Sequence, residues 1–378
     1  MIDFTSALYL GLHHPSRLLQ PWQQLTLGVP AALAEPPGAQ EIAQELAQLQ
    51  GCERGVLMPS TLHLFWDLFG MLCQQPVTLY LDEGTYAIAR WGMERLSARG
   101  VAVHPFRHHD ANALLSRITL QARNRKYPVV VVNGFCPACG TAAPIGDYLD
   151  IVRRFGGLLV LDDTQALGIL GEAPALHSPY GHGGGGILRW SGYSGPDILV
   201  GSSLAKGLGA PVAVLAGSER LLRRFAVASD TRVHSSPPSV AVIQAAVHAL
   251  AVNRLQGNLV RRRLAQRVGQ FRGGLARIGW SSTGGWFPVQ TLRGIAGERA
   301  IRLHQQLSQN GVQTVLTRPR HGKEPRLSFL FTARHHAREI ERCIDMVDTL
   351  AREVKRQRKL NDSRDRQLWF AGQRYTYL

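Results

Sequence analysis

Seven short apolar runs recur along the first two-thirds of the chain: "RGVLMP" (54–59), "VTLYLD" (77–82), "VAVHPF" (101–106), "PVVVVNG" (128–134), "GLLVLDD" (157–163), "DILVGS" (197–202) and "PVAVLAG" (211–217). Each has the length of a strand, is rich in Val, Leu and Ile, and lacks polar alternation. A strand with one wet face would carry a polar residue at every second position. These runs therefore predict strands covered on both faces, in a largely parallel α/β sheet flanked by helices. Segments between them, such as "GAQEIAQELAQLQG" and "DYLDIVRRFG", place apolar residues at helical spacing. The last two runs are joined by too few residues for a crossover helix, which predicts an antiparallel pair.

Past a long helical stretch starting near "HSSPPSVAVIQAAVHALAV", the pattern changes. Strand signals "FPVQTLRG", "VQTVLTR" and "RLSFLFT" alternate with helical "GERAIRLHQQLSQNG" and "AREIERCIDMVDTLAREVKRQRK". This predicts a smaller C-terminal α+β domain. The expected organisation is an N-terminal arm of that small domain (1–30), a large α/β domain (31–255), the small domain proper (256–355) and a basic, aromatic tail (356–378). The glycine-rich stretch 177–195 is expected to be a flexible insertion. Its glycines lack the Lys-Ser/Thr of a phosphate-cradling loop.

Composition narrows the class. Five cysteines in 378 residues argue against a disulfide framework and for a reducing, cytoplasmic setting. The N-terminus does not read as a secretory leader, and no run is long and apolar enough to span a membrane. The net charge of +16 raises nucleic acid as a partner. The arginines are spread along many helical patterns without a nucleic-acid motif, so none is expected. An anionic acyl carrier, coenzyme A or an acidic carrier protein, suits the charge as well.

Candidate chemistry comes from what stands at the carboxyl ends of the apolar runs, where parallel sheets place ligand groups. Only five of the 43 basic residues are lysine, and Lys206 alone sits among small and apolar neighbours, in "SSLAKGLGAP". Arginine supplies charge equally well but cannot become a nucleophilic amine, so this lysine points to imine chemistry. Asp162 follows "GLLVL", with Gln165 three residues on. Ser203 follows "DILVG", Tyr86 follows "VTLYL", and Ser60 and Thr61 follow "GVLMP" at a helix start. A lysine to hold the aldehyde, a carboxylate to keep a pyridine nitrogen protonated, a ring to stack and hydroxyls at a helix N-terminus are what pyridoxal 5′-phosphate requires. Taken singly, Asp162, Ser60, Thr61 and Ser203 also suit helix caps, Tyr86 suits packing and Arg326 a surface charge. Only their grouping lifts them. "FCPACG" has no second cysteine pair, so no metal site is expected from Cys136 and Cys139. The histidine doublets at 13, 108 and 335 read as solvated.

The chain resembles the α-oxoamine synthase family of fold-type I pyridoxal-phosphate enzymes, on its 8-amino-7-oxononanoate synthase-like side. "DFTSALYLGLHHP", "LVLDDTQALGILGE", "SSLAKGLGAPVAVLAGS" and "HSSPPS" are similar to four of its motifs, in order, within a match over roughly residues 3–350. The resemblance implies a homodimer with shared active sites. It gives Lys206 as the Schiff-base lysine, Asp162 as the partner of the ring nitrogen and Ser203, Ser60 and Thr61 as phosphate ligands. Ser235 or Ser236 would reach the partner subunit's phosphate. Tyr86 and Gln165 stand where the family has histidines, and Ser328 where it has an arginine for the substrate carboxylate. Arg326, two residues away on the same strand face, is the expected replacement. The implied reaction condenses an α-amino acid with an acyl thioester. An aminotransferase or aldolase on the same cofactor and a degenerate, non-catalytic binding protein are the alternatives.

Overall fold

All seven apolar runs form strands of one sheet in the computed structural model, which describes residues 1–318 and 324–361. They are β1 (Arg54–Met58), β2 (Val77–Asp82), β3 (Val103–Phe106), β4 (Tyr127–Asn133), β5 (Leu158–Asp162), β6 (Ile198–Ser203) and β7 (Ala213–Gly217). Their order across the sheet is β1-β7-β6-β5-β4-β2-β3. Only β7 runs against its neighbours, pairing antiparallel with β6 and β1. The other pairings are parallel. A short β6–β7 connection enforces that reversal, since the nine residues 204–212 are too few to carry a chain back across a sheet. Every residue of β2, β5 and β7 is buried, as their unbroken apolar character requires. One sheet face packs Leu64, Phe65, Leu68 and Phe69 of the helix Thr61–Leu72; the other packs Ile42, Leu46, Ile243 and Leu250.

Contacts divide the chain into two units. The larger holds residues 10–136 and 142–259, and the smaller residues 1–9, 137–141 and those from 260 on. The N-terminal arm of the smaller unit thus ends at Tyr9 rather than at residue 30. The later division falls inside a single helix, Val240–Arg277. A change of unit without a break in helical periodicity leaves no sequence signal. Within the smaller unit, β8 (Ser282–Thr283), β9 (Val289–Ala296), β10 (Val315–Thr317) and β11 (Arg326–Leu330) form an antiparallel sheet ordered β8-β9-β11-β10. Its aromatic core joins Phe4, Phe271, Phe329 and Phe331. Of the expected tail, residues through Asn361 continue the helix that starts at Ala337, and the remainder lies outside the described residues.

Segment 177–195 is not a free insertion. Backbone hydrogen bonds tie Gly168 to Gly184, Gly171 to Tyr180, Glu172 to His182 and Gly186 to Leu170. Gly186, at φ +86°, lies so close to Asp163 that a Cβ there would meet its Oδ2 at 2.0 Å. The glycines let this strap lie against residues 167–172.

Candidate active site

Because β1 to β6 are parallel, their carboxyl ends share one sheet edge. Asp162 closes β5, opposite Asn133 of β4 and Gly201 of β6. It is 6% exposed, and its Oδ1 accepts the Thr164 N–H at 3.1 Å. Burial pushes its carboxyl pKa up, while the Thr164 bonds and the charge of Lys206 pull it back. The Thr164 hydroxyl in turn accepts the Ser203 N–H at 3.0 Å, joining the ends of β5 and β6.

Lys206 stands in the β6–β7 turn, half-buried, with Nζ 5.7 Å from the centre of the Tyr86 ring. Burial lowers its ammonium pKa to about 8, against the opposing pull of Asp162. The turn depends on its glycines. A Cβ at 207 would stand 2.4 Å from the Leu167 carbonyl oxygen, and Gly209 has φ +71°. Tyr86 opens the helix Ala87–Ser97, and Asn133 fixes the turn before it. The Asn133 Oδ1 accepts the Tyr86 N–H and its Nδ2 donates to the Gly84 carbonyl, both at 3.0 Å. Ser60 caps the helix Thr61–Leu72, its Oγ 2.9 Å from Nδ1 of His63. Gln165 is buried in the turn that follows Asp162.

The family model for aminotransferase class I and II matches residues 4–347. The chain belongs to this family. Its cofactor is pyridoxal 5′-phosphate, and the donor set fits that group: an amine of lowered pKa, a buried carboxylate, a ring beside the amine and a helix N-terminus meet along one sheet edge. Among curated relatives, 8-amino-7-oxononanoate synthase of Nitrosococcus oceani is 29% identical over 252 residues, 66% of this chain and 63% of that enzyme. The enzyme of the same name from Saccharophagus degradans is 24% identical over 94% of this chain and 88% of its own length. Serine palmitoyltransferase from S. paucimobilis superposes with a TM-score of 0.81 at 17% identity, covering 94% of this chain and 88% of that one. The 8-amino-7-oxononanoate synthase of Francisella tularensis gives 0.70 at 16%, covering 95% and 99%. These two structures are likenesses of fold.

The other residues expected at the site of this aminotransferase-family chain have the following surroundings. The Ser235 Oγ donates to the Thr231 carbonyl at 2.6 Å, and its own carbonyl accepts the Ala31 N–H. Of the two serines, only Ser236 is exposed. In the smaller unit, Arg326 is exposed and lines a cavity of about 40 Å³ with Arg318, Thr291 and Thr317. Ser328 lies in the same unit. It is fully buried, and its hydroxyl lies 2.7 Å from that of Thr291 and 2.9 Å from that of Thr317. Cys139 is exposed, its Sγ 2.9 Å from the Thr141 hydroxyl.

The histidine doublets are not merely solvated. His108 Nδ1 lies 2.6 Å from Oδ1 of the buried Asp82, His335 stacks on Phe4 with ring centres 4.4 Å apart, and His14 meets Leu208 and His248. Asn133 was missed as a site residue. Its signal was a lone amide ending a run of four valines.

Proposed function

We propose that this protein joins an α-amino acid to an acyl thioester with loss of carbon dioxide, yielding an α-amino ketone and a free thiol. A carbon–carbon bond forms at the amino acid's α-carbon as the thioester's carbon–sulfur bond breaks, and the departing sulfur takes up a proton. The observation that carries the reading is the meeting of Lys206, Asp162 and Tyr86 at one sheet edge. The names of the curated relatives support the acyl-transfer chemistry.

When bound, the cofactor supplies an electron sink for the charge left at the α-carbon. Lys206 holds the cofactor through Nζ. An amine with a pKa of about 8 exchanges a proton readily near neutral pH, so once released it serves as acid and base at the α-carbon. Asp162, oriented by Thr164, would hold a proton on the cofactor's ring nitrogen. Tyr86 would stack on the ring. Ser203, Ser60 and Thr61 would hold the phosphate, and Gln165 would donate a hydrogen bond to the cofactor without titrating. Arg326 would take the substrate carboxylate in place of Ser328. We further propose a homodimer in which Ser236 reaches the partner's phosphate, and a cytoplasmic setting. The five free cysteines support the latter.

Incubating the holoenzyme with panels of amino acids and acyl thioesters of coenzyme A or carrier protein tests the reading. Release of thiol together with carbon dioxide is expected. Formation of a keto acid and aminated cofactor would replace it with transamination.

A further inference from the structure

We propose that His14 is a positioning residue for Lys206, acting through the Leu208 carbonyl and held in one tautomer by His248. His14 Nε2 lies 2.8 Å from the Leu208 carbonyl oxygen, and its Nδ1 lies 2.8 Å from Nδ1 of His248. A carbonyl only accepts, so Nε2 carries the proton. Burial lowers the His14 pKa, the Leu208 bond opposes this, and the neighbouring His248 and His13 lower it further, which favours the neutral ring. Its Nδ1 is then a bare lone pair, and a 2.8 Å contact to another ring nitrogen requires the proton to come from His248 Nδ1. The two rings stand nearly perpendicular, at 87°. With a neutral His14 ring the hydrogen bonds thereby run from His248 through His14 to Leu208.

That chain ends on the turn that presents the lysine. Leu208 lies two residues beyond Lys206. On one side a Cβ at Gly207 would meet the Leu167 carbonyl oxygen at 2.4 Å. On the other, a Cβ at Gly209 would meet the Leu12 carbonyl oxygen at 2.7 Å and His14 Nε2 at 3.2 Å. Residues 206–209 are gripped between 167–168 and 12–14, and the His14 bond is the polar contact of the second jaw. The long Lys206 side chain can reach many positions from a loose turn. A fixed backbone restricts its amine to the neighbourhood of Asp162 and Tyr86.

The inference rests on Lys206 being the cofactor's amine, so its test has one arm independent of that. In the full-length protein freed of cofactor, hydrogen exchange at the Leu204 and Ala210 amides reads the turn directly. His14→Phe is expected to speed exchange there about tenfold and leave β2 unchanged. His14→Gln, which keeps an N–H near the Nε2 position, should return the rate to within about threefold of the parent. His248→Phe should give an intermediate rate, and it decides the matter if His14→Phe does not fold. The second arm follows the pH midpoint for capture of pyridoxal 5′-phosphate at Lys206, which should leave its value near 8 in His14→Phe and return in His14→Gln. Unchanged exchange, acceleration spread evenly over all strands, or failure of the Gln rescue would overturn the proposal. An accelerated turn with an unmoved midpoint would overturn the link to Lys206. Capture absent even in the parent protein would instead remove Lys206 from its proposed role, leaving the exchange result to judge the hold of His14 on the turn.

Discussion

The amine of Lys206 stands 5.7 Å from the centre of the Tyr86 ring, although the two residues are 120 positions apart and lie on turns after different strands. An ammonium that close to a ring face is attracted by its quadrupole. The same ring is placed to stack on a planar cofactor held by that amine. Tyr86→Phe preserves the ring and should change pyridoxal phosphate affinity by less than about twofold. Tyr86→Ala removes a stacking partner worth ~0.5–1.5 kcal/mol beyond its buried area, and a fluorescence titration should show affinity weakened by about tenfold.

The lowered pKa of Lys206 gives a pH test with a definite sign. Capture of pyridoxal phosphate by the cofactor-free protein needs the neutral amine. Its rate should rise through pH 8 and level off above, where an ordinary lysine would still be gaining up to about pH 10.4. Asp162 raises this pKa by its charge, so Asp162→Asn should move the midpoint lower. Folding stability is linked in the same window. Between about pH 8 and the unfolded lysine value the unfolded chain binds the extra proton, so stability rises with pH there. Lys206→Met should therefore stabilise the cofactor-free protein at pH 7 and lose that advantage above about pH 10.4.

Asp162 and Asp163 are neighbouring buried carboxyls with different duties. Asp163 is 1% exposed, its Oδ2 accepts the Ile187 N–H at 2.9 Å, and its Oδ1 has no partner. Burial and the Asp162 charge hold its pKa well above the usual carboxylate range. A carboxyl raised on folding favours the folded state below its unfolded pKa, and that contribution fades as pH rises through the folded value. Asp163→Asn should thus raise the thermal midpoint at pH 7, by about 2–4 °C for each kcal/mol gained, with no gain below about pH 4. Calorimetry at both pH values checks this. Asp162→Asn should share the gain but lose turnover.

Asn133 makes two hydrogen bonds that shape the turn before Tyr86. Asn133→Ala leaves the Tyr86 N–H and the Gly84 carbonyl without it, which should destabilise the protein by about 1–3 kcal/mol and weaken cofactor binding as well. Asn133→Asp keeps the acceptor for Tyr86 and should fall between alanine and the parent in a denaturant titration.

The large sheet could be read from sequence because its strands are apolar throughout, and β2 matches its run at both ends. The reversal at β7 was legible from loop length alone. Lys206 stood out because the chain so rarely uses lysine. What escaped notice depends on register and on contacts distant in sequence. Nothing in "VVVVN" says that Asn133 reaches the turn after β2, since that needs the β2–β4 pairing. "HH" at 13–14 looks like a solvated pair until the β6–β7 turn is brought beside it. The strap at 177–195 looks flexible because glycine permits both disorder and close approach, and only the residues opposite decide between them.

The central claim is that the amine at 206 carries the cofactor. Reduction of the pyridoxal phosphate-loaded protein with borohydride, followed by peptide mass mapping, should find the pyridoxyl group on Lys206, with Lys206→Ala unlabelled. A label on Lys126, Lys323, Lys355 or Lys359 instead, or no label at all, would contradict the account.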